Sequence, residues 1–207
     1  LHAALLAAHS GSARKAIKHL LDTHQIRVIN SDQAANLLGE EILYEQGGLV
    51  RGFFSPSNDT TYFIADHFDS STTPSELRGL IRHEVGVHAY QMGRGNAEFK
   101  DILRQLDMMR RAGNVAVKEA YARIPAKTDP AFIDEEALAY LVQHSPELGL
   151  VKRVVAWFRN VLRAMGLGSW VGELSTDDIM GMVQAAIVRG AAVEREGAGR
   201  RFEAGPD

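Results

Sequence analysis

One six-residue segment, His83-Glu84-Val85-Gly86-Val87-His88, sets the tightest condition on how this chain can fold. Two imidazoles with a carboxylate directly after the first are the parts of a catalytic zinc site. The imidazoles serve as neutral ligands, and the carboxylate takes a proton from the bound water. The common arrangement is H-E-x-x-H, with both histidines on one helix face at i and i+4. Here they stand at i and i+5. On a regular helix such residues point about 140° apart and cannot share one ion. A single π-turn absorbs one residue and brings them back to one face, and such turns recur at functional sites. Gly86 lies inside the insertion, where the missing Cβ eases a distorted turn. The plainer reading is an ordinary helix with two unrelated histidines, one buried and one solvated. The six residues alone leave both readings open.

Composition narrows the choices. The chain has 207 residues, enough for one domain of ordinary size, or one with a small appendage. A net charge of -3 gives no global basic field for nucleic acid. With no cysteine there are no disulfides and no thiolate ligands, so a metal must use His, Asp or Glu. The longest apolar runs are too short to span a bilayer. Leu1 is not an initiator methionine, so the expectation is a processed chain or a piece of something larger. The apolar stretch from Leu1 to Ala8 lacks a basic lead and a cleavage site, and is not read as a signal peptide.

In chain order, residues 2–9 read as a short helix and residues 13–23 as an amphipathic one carrying Ile17, Leu20 and Leu21. Residues 26–29 are rich in β-branched residues and short, a strand. Ser31 can cap a helix with Ala34, Ala35, Leu37 and Leu38. Gly47-Gly48 breaks the chain. Residues 49–54 and 60–65 are the arms of a hairpin, turned by Ser55-Pro56-Ser57-Asn58-Asp59. Thr73-Pro74-Ser75-Glu76 is a helix start with a capping box, and that helix carries the histidines and ends near Gly93. Phe99, Ile102, Leu103, Leu106 and Met109 recur at helical spacing. Residues 114–123 and 132–142 follow as helices. Val151, Val154, Val155, Phe158, Val161 and Leu162 form an apolar stripe ended by Gly166 and Gly168. Ser175 with Asp178 opens the last helix, and the tail from Glu196 reads as disordered.

A zinc site with two histidines and an open position needs a third ligand. Glu135 and Glu136 lie on a later helix, among the small residues Ala137 and Ala139. Glu136 is the favoured ligand and Glu135 the second choice. As a pair alone, they better suit the first turn of a helix, where carboxylates oppose the dipole.

The order of elements resembles the zincin-like metallopeptidase domains of large polyvalent proteins in phages and conjugative elements. The resemblance rests on Gly52-Phe53-Phe54, Thr61-Tyr62-Phe63-Ile64-Ala65, the 83–88 segment and Glu135-Glu136-Ala137-Leu138-Ala139, and covers residues 26–144. The wider histidine spacing is also similar to the dipeptidyl peptidase III motif, where a Glu-Glu pair follows and its second glutamate binds zinc. That family has glycine directly before the second histidine; here Gly86 is one place earlier. The resemblance implies an α+β, zincin-like fold: a small, mainly antiparallel sheet with the motif helix, then a mostly helical part. The expected divisions are 1–25, 26–146, 147–195 and a tail 196–207. It implies a Zn2+ peptidase with His83, His88 and Glu136 as ligands and Glu84 as general base toward a zinc-bound water. It also implies a peptide or protein substrate and a larger parent polyprotein. A cytoplasmic location or delivery into a host cell follows only if the resemblance holds.

Tyr90, Tyr140 and His144 are candidates for the oxyanion donor. The 60–65 arm is either a sheet edge for an extended substrate or an ordinary core strand. His2, His9, His19, His24 and His67 read as surface or loop residues. Two further functions compete. One is a catalytically inactive zincin-like binding module. The other is a nucleic-acid module using Lys152, Arg153, Arg159, Arg163 and Arg200-Arg201, which the net charge disfavours.

Overall fold

The structure is a computed structural model that describes residues 1–38, 50–55, 57–126 and 128–188. Gly47-Gly48, Pro56, Arg200-Arg201 and the tail from Glu196 lie outside the described residues. The fold class is α+β. The chain forms two compact units. One is Leu1–His88 with Gly166–Glu173; the other is Ala89–Met165 with the described residues from Leu174 on.

The first unit opens with helices α1 (His2–Ala7) and α2 (Gly11–Asp22). The second helix begins at Gly11 rather than at Ala13, and Gly11 holds φ at +55°, a conformation that favours glycine. Its buried residues are Ala16, Ile17, Leu20 and Leu21, the stripe the spacing predicts. Strand β1 (Ile26–Ile29) leads to α3 (Ser31–Leu38). Asn30, not Ser31, caps this helix: its Oδ1 accepts from Gln33 N at 2.8 Å, and Gln33 Oε1 accepts from Asn30 N at 3.0 Å. Ser31 N instead donates to Asp66 Oδ2.

The hairpin forms as β2 (Gly52–Ser55) and β3 (Thr60–Ile64), with Phe53 paired to Tyr62 and Phe54 to Thr61. Asp59 takes φ +55° in the turn. The sheet order is β1-β3-β2, with β1 parallel to β3. The sheet is therefore half parallel, not mainly antiparallel. Parallel neighbours need a crossover between them, and α3 lies in that connection. It also makes β3 the central strand, buried along its whole length and paired on both sides. The edge role considered for the 60–65 arm is thus excluded, because a strand with two partners has no free ladder.

Alternation along the hairpin divides its side chains between two faces. Phe53 and Tyr62 stack at 5.1 Å and form a core with Ala34 of α3 and Ile64. Gly52, Phe54, Thr61 and Phe63 point the other way. A Cβ at Gly52 would meet the Phe63 ring at 3.1 Å, so this close pairing favours glycine.

Helix α4 (Pro74–Gly93) starts with the expected capping box: Thr73 N donates to Glu76 Oε2 at 2.7 Å, and Glu76 N to Thr73 Oγ1 at 3.2 Å. Gly166 adopts φ +84°, and the chain then re-forms a short helix, α9 (Gly168–Glu173), that the sequence reading did not contain. It buries Trp170 and Val171.

The second unit takes the last residues of α4 and the helices α5 (Ala97–Arg111), α6 (Val115–Ala122), α7 (Ile133–His144) and α8 (Gly149–Ala164). Residues 176–188 form α10. Asn96 and Asn114 cap α5 and α6 through their side-chain oxygens. Ser175 and Asp178 form a second capping box. The α8 stripe is buried as its periodicity requires. At its centre Trp157 packs on Phe99 at 4.6 Å, with Tyr90 edge-on to both.

Candidate metal centre

Helix α4 is α-helical from residue 74 to 93, with no π-turn at Gly86. His83 and His88 therefore diverge by about 140° around its axis. Glu84 and His88 are four residues apart and lie on one stripe. Both are buried, with Glu84 6% and His88 2% exposed. His83 is half-buried and lines a cavity of about 320 Å³.

The His88 ring lies 4.9 Å from that of Phe54, on the face of the sheet opposite α3. Burial pushes the pKa of His88 below the usual value, and the carboxylate of Asp59 pulls the other way. The ring is thus kept neutral, the form that binds metal. Thr61, opposite Phe54 in the sheet, is fully buried, and among the described residues its Oγ1 has no hydrogen-bond partner. Asp59 and Thr61 were not anticipated as neighbours of the motif; an aspartate ending a hairpin turn was the one available signal.

His83, Glu84 and His88 belong to the first unit, and Glu135 and Glu136 to the second. Within the second, Glu135 is 5% exposed and both its oxygens are engaged. Tyr90 donates its hydroxyl to Oε2, and Arg94 donates to Oε1 at 2.7 Å. The Arg94 guanidinium also lies 5.7 Å from the Tyr90 ring centre and 5.5 Å from that of Phe132. Glu135 is committed to this cluster. Glu136, about 100° further round α7, is half-buried.

The remaining residues named from sequence fall as follows. Tyr90 directs its hydroxyl to Glu135, which removes it as oxyanion donor. Tyr140 and His144 stack on each other at 6.3 Å. His67 and His9 are buried, contrary to a surface reading. His67 Nδ1 is bonded to the Val50 carbonyl and Nε2 lies 3.3 Å from Ser31 Oγ; His9 Nδ1 is bonded to the Leu5 carbonyl. Their local sequence shows nothing of this, because burial comes from elements distant in the chain. The basic stripe of α8 is compensated: Lys152 pairs with Glu147, Arg153 with Asp101, and Arg159 donates to Thr176. Among the described residues, no helix is long and apolar enough to cross a membrane.

The donor types on α4 suit zinc: a neutral buried imidazole and a second imidazole on the same helix, with no cysteine in the chain. Among the described residues, no three His, Asp or Glu side chains are grouped so as to hold a metal ion. Both imidazoles can meet on one ion only after α4 gains a residue in the turn between them. Compared with protein-family models, curated proteins and solved structures, the chain matches none.

Proposed function

We propose that this chain is a zincin-like, zinc-dependent peptidase, with His83, His88 and Glu136 as the residues that hold the ion and Glu84 as general base. The observation that carries this reading is the pair Glu84 and His88, both buried on one stripe of α4. Burying a carboxylate and an imidazole in mid-helix is unfavourable for folding alone, and such placements gather at functional sites. The commitment of Glu135 to Tyr90 and Arg94 supports Glu136 as the third ligand.

A bound zinc ion supplies Lewis-acid polarisation of the scissile carbonyl and acidifies water. The chain's own residues do the rest. Glu84 takes a proton from the attacking water and returns it to the leaving amine. Burial of His88 keeps its nitrogen unprotonated for ligation. The regular α-geometry favours a second reading, a catalytically inactive zincin-like binding module, because the two imidazoles diverge.

Metal analysis of the purified protein tests the proposal. Wild type is expected to carry about one zinc per chain. The H83A/H88A double variant is expected to carry none. Stoichiometric zinc in the double variant overturns the assignment.

A further inference from the structure

The cavity that His83 lines runs along α4. Glu76, Gly79, Leu80 and His83 share one stripe of the helix at positions i, i+3, i+4 and i+7, and form one wall. Arg51, Phe68 and Thr72 form the other. Gly79 is the odd residue. Glycine in a helix interior weakens the helix, and it is usually kept for positive φ or for close approach of another atom. Gly79 has neither, since a Cβ there would meet none of the described residues within 4 Å. What its missing side chain does is leave the floor of the cavity open.

The charges at the rim decide what can enter. Arg51 stacks over the Phe68 ring at 5.6 Å. Its charge acts on two carboxylates, Glu76 and Asp69. Each is held ionised chiefly by local hydrogen bonds, Glu76 by Thr73 and Asp69 by Ser71, and Arg51 adds to this. Of the two carboxylates Glu76 lines the groove with Arg51, so their charges offset each other there and the rim favours neither an acidic nor a basic occupant. The walls offer the Phe68 ring, the Leu80 side chain and the bare backbone of Gly79.

We propose that this groove is the specificity pocket next to the reacting centre, and that it selects a large apolar or aromatic side chain of a peptide. The proposal rests on the zinc-peptidase reading, because His83 connects groove and centre.

The test uses the full chain with E84Q, to prevent turnover, in the presence of zinc. The probes are fluorescein-labelled heptapeptides Gly-Gly-Ala-Xaa-Ala-Gly-Gly, with Xaa as Phe, Leu, Asp or Lys, read by anisotropy. The Phe and Leu peptides are expected to bind at least about tenfold more tightly than the Asp peptide, the scale of a hydrophobic-pocket preference. G79L fills the floor and is expected to abolish that preference. G79A is expected to weaken the Phe peptide while raising the unfolding midpoint, a combination that mere damage does not produce. A preference unchanged in G79L and G79A, or none in the parent, overturns the pocket. Zinc content and cleavage are measured separately on the chain with Glu84 intact. A Gly79-dependent preference without zinc or cleavage overturns the peptidase reading and leaves the groove as an apolar peptide site. Zinc and cleavage without the preference overturn the groove alone.

Discussion

The hydroxyl of Tyr90 donates to Glu135 across 45 residues of sequence, and both side chains are buried. Arg94 completes the pairing from one turn further along α4. A buried carboxylate is tolerated here because both of its oxygens are satisfied. Tyr90→Phe keeps the ring contacts with Phe99 and Trp157 and removes one charge-assisted bond; the expected loss is about 1–3 kcal/mol. Arg94→Met removes the Arg94 counter-charge from the buried carboxylate and is expected to cost about 3–5 kcal/mol. The double variant R94M/E135L is expected to lose much less than the sum of the two single changes, because no stranded charge remains. Urea unfolding of wild type, Y90F, R94M, E135L and R94M/E135L checks this, and simple additivity rejects the cluster as a coupled unit.

Gly93 and Gly79 lie on the same helix and are expected to answer to alanine with opposite signs. A Cβ at Gly93 would stand 2.7 Å from both Trp157 Cζ2 and Val161 Cγ2. Trp157 is fully buried and cannot swing away. Gly93→Ala is expected to destabilise by about 1–3 kcal/mol through overpacking. Gly79→Ala meets none of the described residues and is expected to stabilise by about 0.5–1 kcal/mol through helix propensity. Thermal unfolding compares the two directly; a stabilised Gly93→Ala contradicts the close packing of α4 on α8.

Acid is expected to weaken the first unit through its buried imidazoles. His9 and His88 both have pKa values below the ordinary one, each chiefly because burial penalises the charged ring. For His9 the bond to the Leu5 carbonyl opposes this, and the charges of Arg78 and Arg82 add to it. In the unfolded chain a histidine takes its proton near pH 6.5, roughly. Below that point the unfolded state binds more protons than the folded state, so stability falls with pH. The contribution is complete above the unfolded value and is lost as pH drops through the folded one. Denaturant midpoints of chelator-treated protein from about pH 7.5 to 5 are expected to fall. His9→Gln should flatten part of that slope; an unchanged profile removes His9 from the account.

Local rules found much of this fold. The Thr73–Glu76 capping box, the Asn58-Asp59 turn and the stripe of α8 depend on neighbours within a few residues, and they stand where the sequence puts them. Pairings between distant segments were not legible. Nothing in Ile26–Ile29 says that it lies parallel to Thr60–Ile64, and nothing near Tyr90 points to Glu135. Gly86 permits a π-turn but does not impose one, and α4 keeps the regular ladder of hydrogen bonds. The motif was therefore readable as chemistry, while the angle between its histidines was not.

Glu84 separates an enzyme from a binding module. It follows the first histidine, shares a stripe with the second and is buried, as a base shielded from bulk water would be. Glu84→Gln is nearly isosteric and removes the basic oxygen without removing a proposed ligand. Zinc content is therefore expected to stay at the wild-type level. Hydrolysis is expected to fall by about 10²–10⁴, the range for loss of a general base. Two readings on the same preparations decide the matter: zinc by elemental analysis, and cleavage of a broad peptide library by mass spectrometry. Undiminished cleavage in the variant takes Glu84 out of the mechanism. Zinc loss together with hydrolysis makes Glu84 part of the metal's support rather than its base. A wild type that holds zinc and cleaves no member of the library puts the binding module ahead, because ion and carboxylate are then both present and the site still binds without turning over.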